Sequence, residues 1–83
     1  MKYYTYIILC ENNHYYVGHT LNLASRFERH LKKYGAKFTL QNKPIKLVWS
    51  QKFDSEIESI RREIQIKGWS RIKKEKLISG DWE

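Results

Sequence analysis

Tyr3-Tyr4-Thr5-Tyr6-Ile7-Ile8-Leu9-Cys10-Glu11-Asn12-Asn13-His14-Tyr15-Tyr16-Val17-Gly18 is the stretch on which the fold turns. Aromatic and β-branched residues crowd Tyr3 to Cys10, a polar cluster interrupts them, and the same character resumes from Tyr15 to Gly18. Such residues favour the pleated, half-buried surface of a strand. Asn12 and Asn13 tolerate the left-handed backbone that a tight turn demands. The stretch therefore predicts a β-hairpin.

Beyond the hairpin the hydrophobic period changes. Ala24, Phe27, Leu31 and Tyr34 recur at helical spacing, with Arg26, Arg29, Lys32 and Lys33 largely elsewhere. Thr20 or Asn22 supplies a cap and Gly35 an end. A basic loop from Gly35 to Pro44 leads to a third strand, in which Ile45, Leu47, Trp49 and Phe53 alternate with Lys46, Ser50 and Lys52 to bury one face. Ser55 and Glu58 have capping-box spacing, and Ile57, Ile60 and Ile64 recur at helical spacing until Gly68. Ser70 caps a last short helix that Gly80 ends. The expected fold is α+β, one domain over residues 1–83, a three-stranded antiparallel sheet flanked by helices in the order ββαβαα.

A chain of 83 residues buries only roughly 60% of its unfolded surface and supports one small core. Three Trp, six Tyr and three Phe supply it, each ring removing a large area from water. Sixteen Lys and Arg against nine Asp and Glu give a net charge of +7, which favours a polyanionic partner, nucleic acid first, though an acidic protein satisfies the same charge. The lone Cys10 allows no internal disulfide and no cysteine-based zinc site, so a reducing, cytoplasmic setting is expected. Residues 3–10 are too short for a signal peptide, and no stretch has membrane-spanning length.

Several separated motifs then fall into one order: Thr5-Tyr6-Ile7, Tyr16-Val17-Gly18 ten positions on, Arg26 on the first helix with His30 one turn later, and Arg62-Glu63-Ile64-Gln65-Ile66-Lys67-Gly68-Trp69-Ser70 on the second. Over residues 3 to 79 this resembles the GIY-YIG nuclease superfamily, in particular its small stand-alone URI-type domains and the N-terminal incision domain of the nucleotide-excision-repair nuclease. Two departures stand out. Tyr4 occupies the place of the name-giving glycine, and Lys74, Glu75 and Lys76 stand where an asparagine often follows the glutamate helix.

The resemblance implies an endonuclease that hydrolyses a phosphodiester, with DNA the favoured substrate and little sequence specificity. Such a bond resists attack because its anionic oxygens repel a nucleophile, so charge must be neutralised and hydroxide generated in line. Glu63 is implied as the ligand of one Mg²⁺ or Mn²⁺, water and substrate oxygens completing the shell. Arg26 is implied as the guanidinium on the phosphate, and one of Tyr6 and Tyr16 as the group that orients or deprotonates water. His30, and less strongly His19, can tune a phenol or touch the phosphate. Lys37, Lys67, Lys73 and Lys74 can track the phosphate backbone. Read without the resemblance, Glu63 and Lys67 make an exposed i,i+4 pair worth about 0.3–0.5 kcal/mol, Arg26 is a surface arginine, and the tyrosines are core. Members of other sizes serve repair, restriction and mobile elements through an added targeting domain, so this chain is expected to lean on a protein partner or a structured substrate. The alternative reading, motivated by the two departures, is a nucleic-acid-binding module with weak or no turnover.

Overall fold

The computed structural model describes residues 1–11, 13–36 and 43–81. It contains β1 (Tyr3–Cys10), β2 (Tyr15–Thr20), α1 (Leu23–Ala36), β3 (Pro44–Phe53), α2 (Glu56–Lys67) and α3 (Arg71–Ser79), the expected ββαβαα order. Both β2 and β3 pair antiparallel with β1, giving the sheet order β2-β1-β3. The hairpin closes with Asn13 at φ 64°, where Cys10 donates its N–H to His14 and Asn13 donates to Cys10. Asparagine adopts that left-handed geometry at lower cost than most residues.

Central β1 is covered on both faces, and its side chains alternate between two cores. Tyr6, Ile8 and Cys10 face α1, where Leu23 and Phe27 pack on them. Ile7 faces the other way and clusters with Val17, Ile66 and Leu77, sealed by Tyr15, Val48, Trp49, Trp69 and Ile78. On that same face Thr5 donates its hydroxyl to the Ser59 carbonyl at 2.7 Å. Ser59 is fully buried and its own hydroxyl bonds the Glu56 carbonyl, so a small residue lets α2 approach the sheet closely.

That approach decides which side of α2 is buried. The isoleucine run read from the sequence is not the core stripe: Ile57 and Ile64 are 61% and 65% exposed, whereas Ser59, the largely covered Glu63 and Ile66 line the sheet. The third strand also departs from simple alternation. Ile7 pairs with Trp49 and Ile8 with Leu47, leaving Val48 as a bulge. One extra residue reverses the facing of everything beyond it. Trp49 therefore joins the α2–α3 core, while Ile45 and Leu47 line an outer groove with Leu23, Ala24 and Phe27.

Local capping follows the sequence. The Asn22 side chain accepts from the Ser25 N–H at 2.9 Å to start α1, and Ser55 and Glu58 form the reciprocal box at α2. Ser70 caps α3, and Gly80 ends it at φ 86°. Gly35 lies one residue inside α1, which runs on to Ala36. No helix among the described residues is long and apolar enough to cross a membrane.

Candidate active site

The edge strand β2 carries chemistry on both of its faces. Tyr16 and Gly18 point toward α1, with Tyr6 of β1 beside them, whereas His19 points toward α2. Tyr6 lies directly opposite Gly18, and Tyr16 opposite Ile8. The two tyrosines are thus diagonal neighbours on one face, with ring centroids 6.2 Å apart. Gly18 makes this possible. A Cβ there would stand 2.5 Å from the Tyr6 hydroxyl oxygen and 2.7 Å from its ring carbon Cζ, so only glycine lets the phenol lie across the strand.

His30 descends from α1 between the two phenols. Its Nε2 is 3.1 Å from the Tyr6 hydroxyl, and its ring stands edge-on to Tyr16 with centroids 4.7 Å apart. The environments of the two tyrosines differ sharply. Tyr6 is 1% exposed and Tyr16 is 45% exposed. Burial, reinforced by the adjacent Tyr16, pushes the Tyr6 phenol well above its ordinary value, with Arg26 opposing. Tyr6 is consequently a neutral hydroxyl at physiological pH. Arg26 sits half-buried on α1, close enough to Tyr6 for its charge to be felt.

On the other face, Glu63 of α2 is clasped by two donors. His19 Nδ1 lies 2.5 Å from one carboxylate oxygen, and the Lys67 ammonium lies 2.6 Å from the other. Burial works against ionisation of Glu63, but the hydrogen bonds from Lys67 and His19 outweigh it and hold the carboxyl below the usual range. In return, the hydrogen bond to Glu63 raises Lys67. The two halves sit around one strand, β2 carrying Tyr16 on one face and His19, bonded to Glu63, on the other.

Of the residues singled out from the sequence, the structure brings Tyr6, Tyr16 and His30 together with Arg26 nearby, and gathers Glu63, His19 and Lys67. His19 thereby meets the carboxylate rather than a phenol. Lys73 is placed against the Trp69 ring, 4.5 Å from its centroid, and Lys74 is half-buried on α3. Trp69 packs on the α2–α3 core. Lys37 lies outside the described residues. The constraint that sequence reading did not supply is the packing of Gly18 under Tyr6; its only signal was the glycine that follows Tyr16-Val17.

A divalent cation fits Glu63 chemically. The carboxyl is ionised at neutral pH and its side chain remains 14% exposed. Mg²⁺ accepts one protein oxygen alongside waters and substrate oxygens. No group of three or more His, Cys, Asp or Glu residues poised for a metal occurs among the described residues, so a cage built wholly from protein ligands is not what this site offers.

Comparison with known proteins gives the family. The family described as GIY-YIG catalytic domain matches residues 2–76. A UPF0213 protein of Staphylococcus haemolyticus is 42% identical over 77 residues, covering 93% of this chain and 94% of its own. A UPF0213 protein of the archaeon Natronomonas pharaonis is 37% identical over 79 residues, covering 95% and 93%. The solution NMR structure of a UPF0213 protein from Bacillus halodurans superposes with a TM-score of 0.61 at 38% identity, covering 95% of this chain and 84% of that one. The relatives' shared name states no activity.

Proposed function

The chain belongs to the GIY-YIG catalytic-domain family, a nuclease superfamily whose members generally depend on a divalent metal, and on that premise we propose that it is an endonuclease hydrolysing phosphodiester bonds in nucleic acid, DNA before RNA. The observation that carries the reading is the meeting of Tyr6, Tyr16 and His30 on one face of β2, with Arg26 near Tyr6, and of Glu63 with His19 on the other face of the same strand.

In this reading Glu63 holds one Mg²⁺ or Mn²⁺, and the ion supplies Lewis-acid neutralisation of phosphate charge and a more acidic bound water. Arg26 places its guanidinium on the scissile phosphate, where charge grows as the leaving oxygen departs. Tyr16, the exposed member of the pair, orients the attacking water and, as its phenolate, takes the water's proton as the new P–O bond forms, returning to the neutral phenol. Tyr6 keeps its own proton, and with His30 fixes the Tyr16 ring; His30 is also placed to hand a proton to the leaving oxygen. His19 acts through Glu63, holding the carboxylate's orientation. Lys67, now paired with Glu63, would turn to a substrate phosphate if Glu63 held the ion, and Lys74 with Lys73 and Lys37 adds affinity that does not depend on sequence. Buried, unpaired Cys10 supports a cytoplasmic setting, and targeting is assigned to a protein partner or a branched or damaged substrate.

A second reading, binding without turnover, rests on one observation: both carboxylate oxygens of Glu63 already have internal partners. Cleavage of labelled supercoiled, linear, branched and single-stranded DNA with Mg²⁺ or Mn²⁺ separates the two. The nuclease reading expects cutting by the native chain that Glu63→Ala and Arg26→Ala each reduce by about a hundredfold or more, with binding persisting in Glu63→Ala. Salt-sensitive binding with no cutting under either metal selects the second.

A further inference from the structure

Beside the tyrosine cluster, the start of α1 and the end of β2 enclose a groove lined by Thr20, Leu21, Asn22, Ser25, Arg26 and Arg29. Its walls are stiff. The Thr20 hydroxyl bonds the backbone of Asn22 twice, accepting from its N–H and donating to its carbonyl, and the Asn22 side chain caps the helix by accepting from the Ser25 N–H. Arg26 and Arg29, one turn apart, flank the opening. Neither is paired with a carboxylate among the described residues, and the first turn of α1 carries no acid.

Two guanidiniums bordering one groove repel each other unless an anion lies between them. Each presents a fork that matches phosphate oxygens. If Arg26 serves the scissile phosphate, Arg29 stands one helical turn, about 5 Å, along the axis. Successive phosphates of one strand are separated by a distance of that order, so one arginine cannot serve both.

We propose that the Arg26–Arg29 groove is a second phosphate subsite, in which Arg29 holds a phosphate next to the scissile one on the same strand. This rests on the nuclease reading for the identity of the first phosphate, but not for the existence of an anion subsite. The subsite makes the substrate an internal linkage of a polynucleotide and disfavours a diester lacking a neighbouring phosphate.

The test measures binding of a short fluorescein-labelled DNA duplex by anisotropy across a salt series in EDTA, using the native chain, Arg29→Gln and Lys32→Gln. Lys32 is exposed on the same helix and controls for loss of one charge. Arg29→Gln should weaken binding and reduce the slope of log affinity against log salt by about 0.9, the release expected for one duplex phosphate contact, with Lys32→Gln changing it less. Equal slopes for native and Arg29→Gln, or equal losses in the two variants, overturn the subsite. A native chain that shows no salt-dependent binding overturns it together with the proposed function. If the native chain cuts, a duplex bearing one neutral methylphosphonate linkage gives a second measure: the native chain should skip the bond on one side of the neutral linkage and Arg29→Gln should not, whereas the same skip in both overturns the assignment.

Discussion

On the α2–α3 face of the sheet, aromatic rings are covered by cations. Arg62 lies 5.9 Å from the Trp49 ring centroid and 5.3 Å from that of Trp69, Lys73 also lies on Trp69, and Arg71 sits 4.5 Å from Tyr15. On the α1 face the rings of Tyr6 and Tyr16 meet each other and the edge of His30 instead, and the arginines nearby are left to one side. A cation over a ring contributes about 0.5–1 kcal/mol at an exposed site, and it is then less free to meet a phosphate. The net charge of +7 is therefore divided, part of it holding the α2–α3 core together and part held ready beside the phenols. Only Glu63 and its two partners bring the first face into the chemistry of the second.

The largest test of that division is Glu63→Ala. Cleavage should fall by about a hundredfold to a thousandfold, the scale for losing one transition-state electrostatic contact, while the circular dichroism spectrum and the DNA affinity stay close to native. An equal fall in affinity would mean that the carboxylate organises binding and not turnover.

Ile66→Ala probes the α2–α3 core behind that carboxylate. It removes a fully buried side chain and should cost about 2–5 kcal/mol in urea unfolding. Its neighbour Ile64, 65% exposed, should change stability by no more than about 0.5 kcal/mol on the same substitution. Comparable losses at both positions would undo the assignment of the buried stripe.

Gly18→Ala attacks the α1 face through its backbone. The added methyl collides with the Tyr6 hydroxyl and ring, an overpacking worth about 1–3 kcal/mol. Activity should drop along with stability. Tyr6→Phe in the same chain should not restore stability, because the Cζ clash remains.

The smallest effect concerns pH. The Glu63 carboxyl is held below its ordinary value, so its contribution is present above the unfolded value of about 4.3 and fades as pH falls through the lowered folded value. The urea midpoint of the native chain should therefore decline relative to that of Glu63→Gln as pH drops below about 4. Parallel curves down to pH 2 would count against the clasp by His19 and Lys67.

How far the sequence could be read follows from how local each signal is. The hairpin turn at Asn13, the Ser55–Glu58 box and the Ser70 and Gly80 ends depend on neighbours within four residues, and each is legible. The spacing of His30 one turn after Arg26 is legible, though not the contact of its ring with both tyrosines. The facing of β3 was not legible, because a bulge at Val48 reverses it and nothing in alternating apolar residues announces an extra residue. The isoleucines of α2 misled for a related reason: helical spacing defines a stripe, but Thr5 and Ser59, 54 positions apart, decide which stripe is buried. The meeting of His19 with Glu63, 44 positions apart, likewise belongs to the packing and not to either segment.

The Arg62 clasp has an optical consequence. Indole emission responds to charge and solvent at the ring, and Trp49 of β3 and Trp69 beyond α2 share one guanidinium as neighbour. Separation of the helices from the strand would change both chromophores in concert, so the chain carries a built-in fluorescent gauge of whether this corner is docked. Among the described residues the tyrosine cluster on the opposite face contains no indole, which leaves the signal of Trp49 and Trp69 blind to events at the phenols and lets the integrity of this core be followed without attaching a dye.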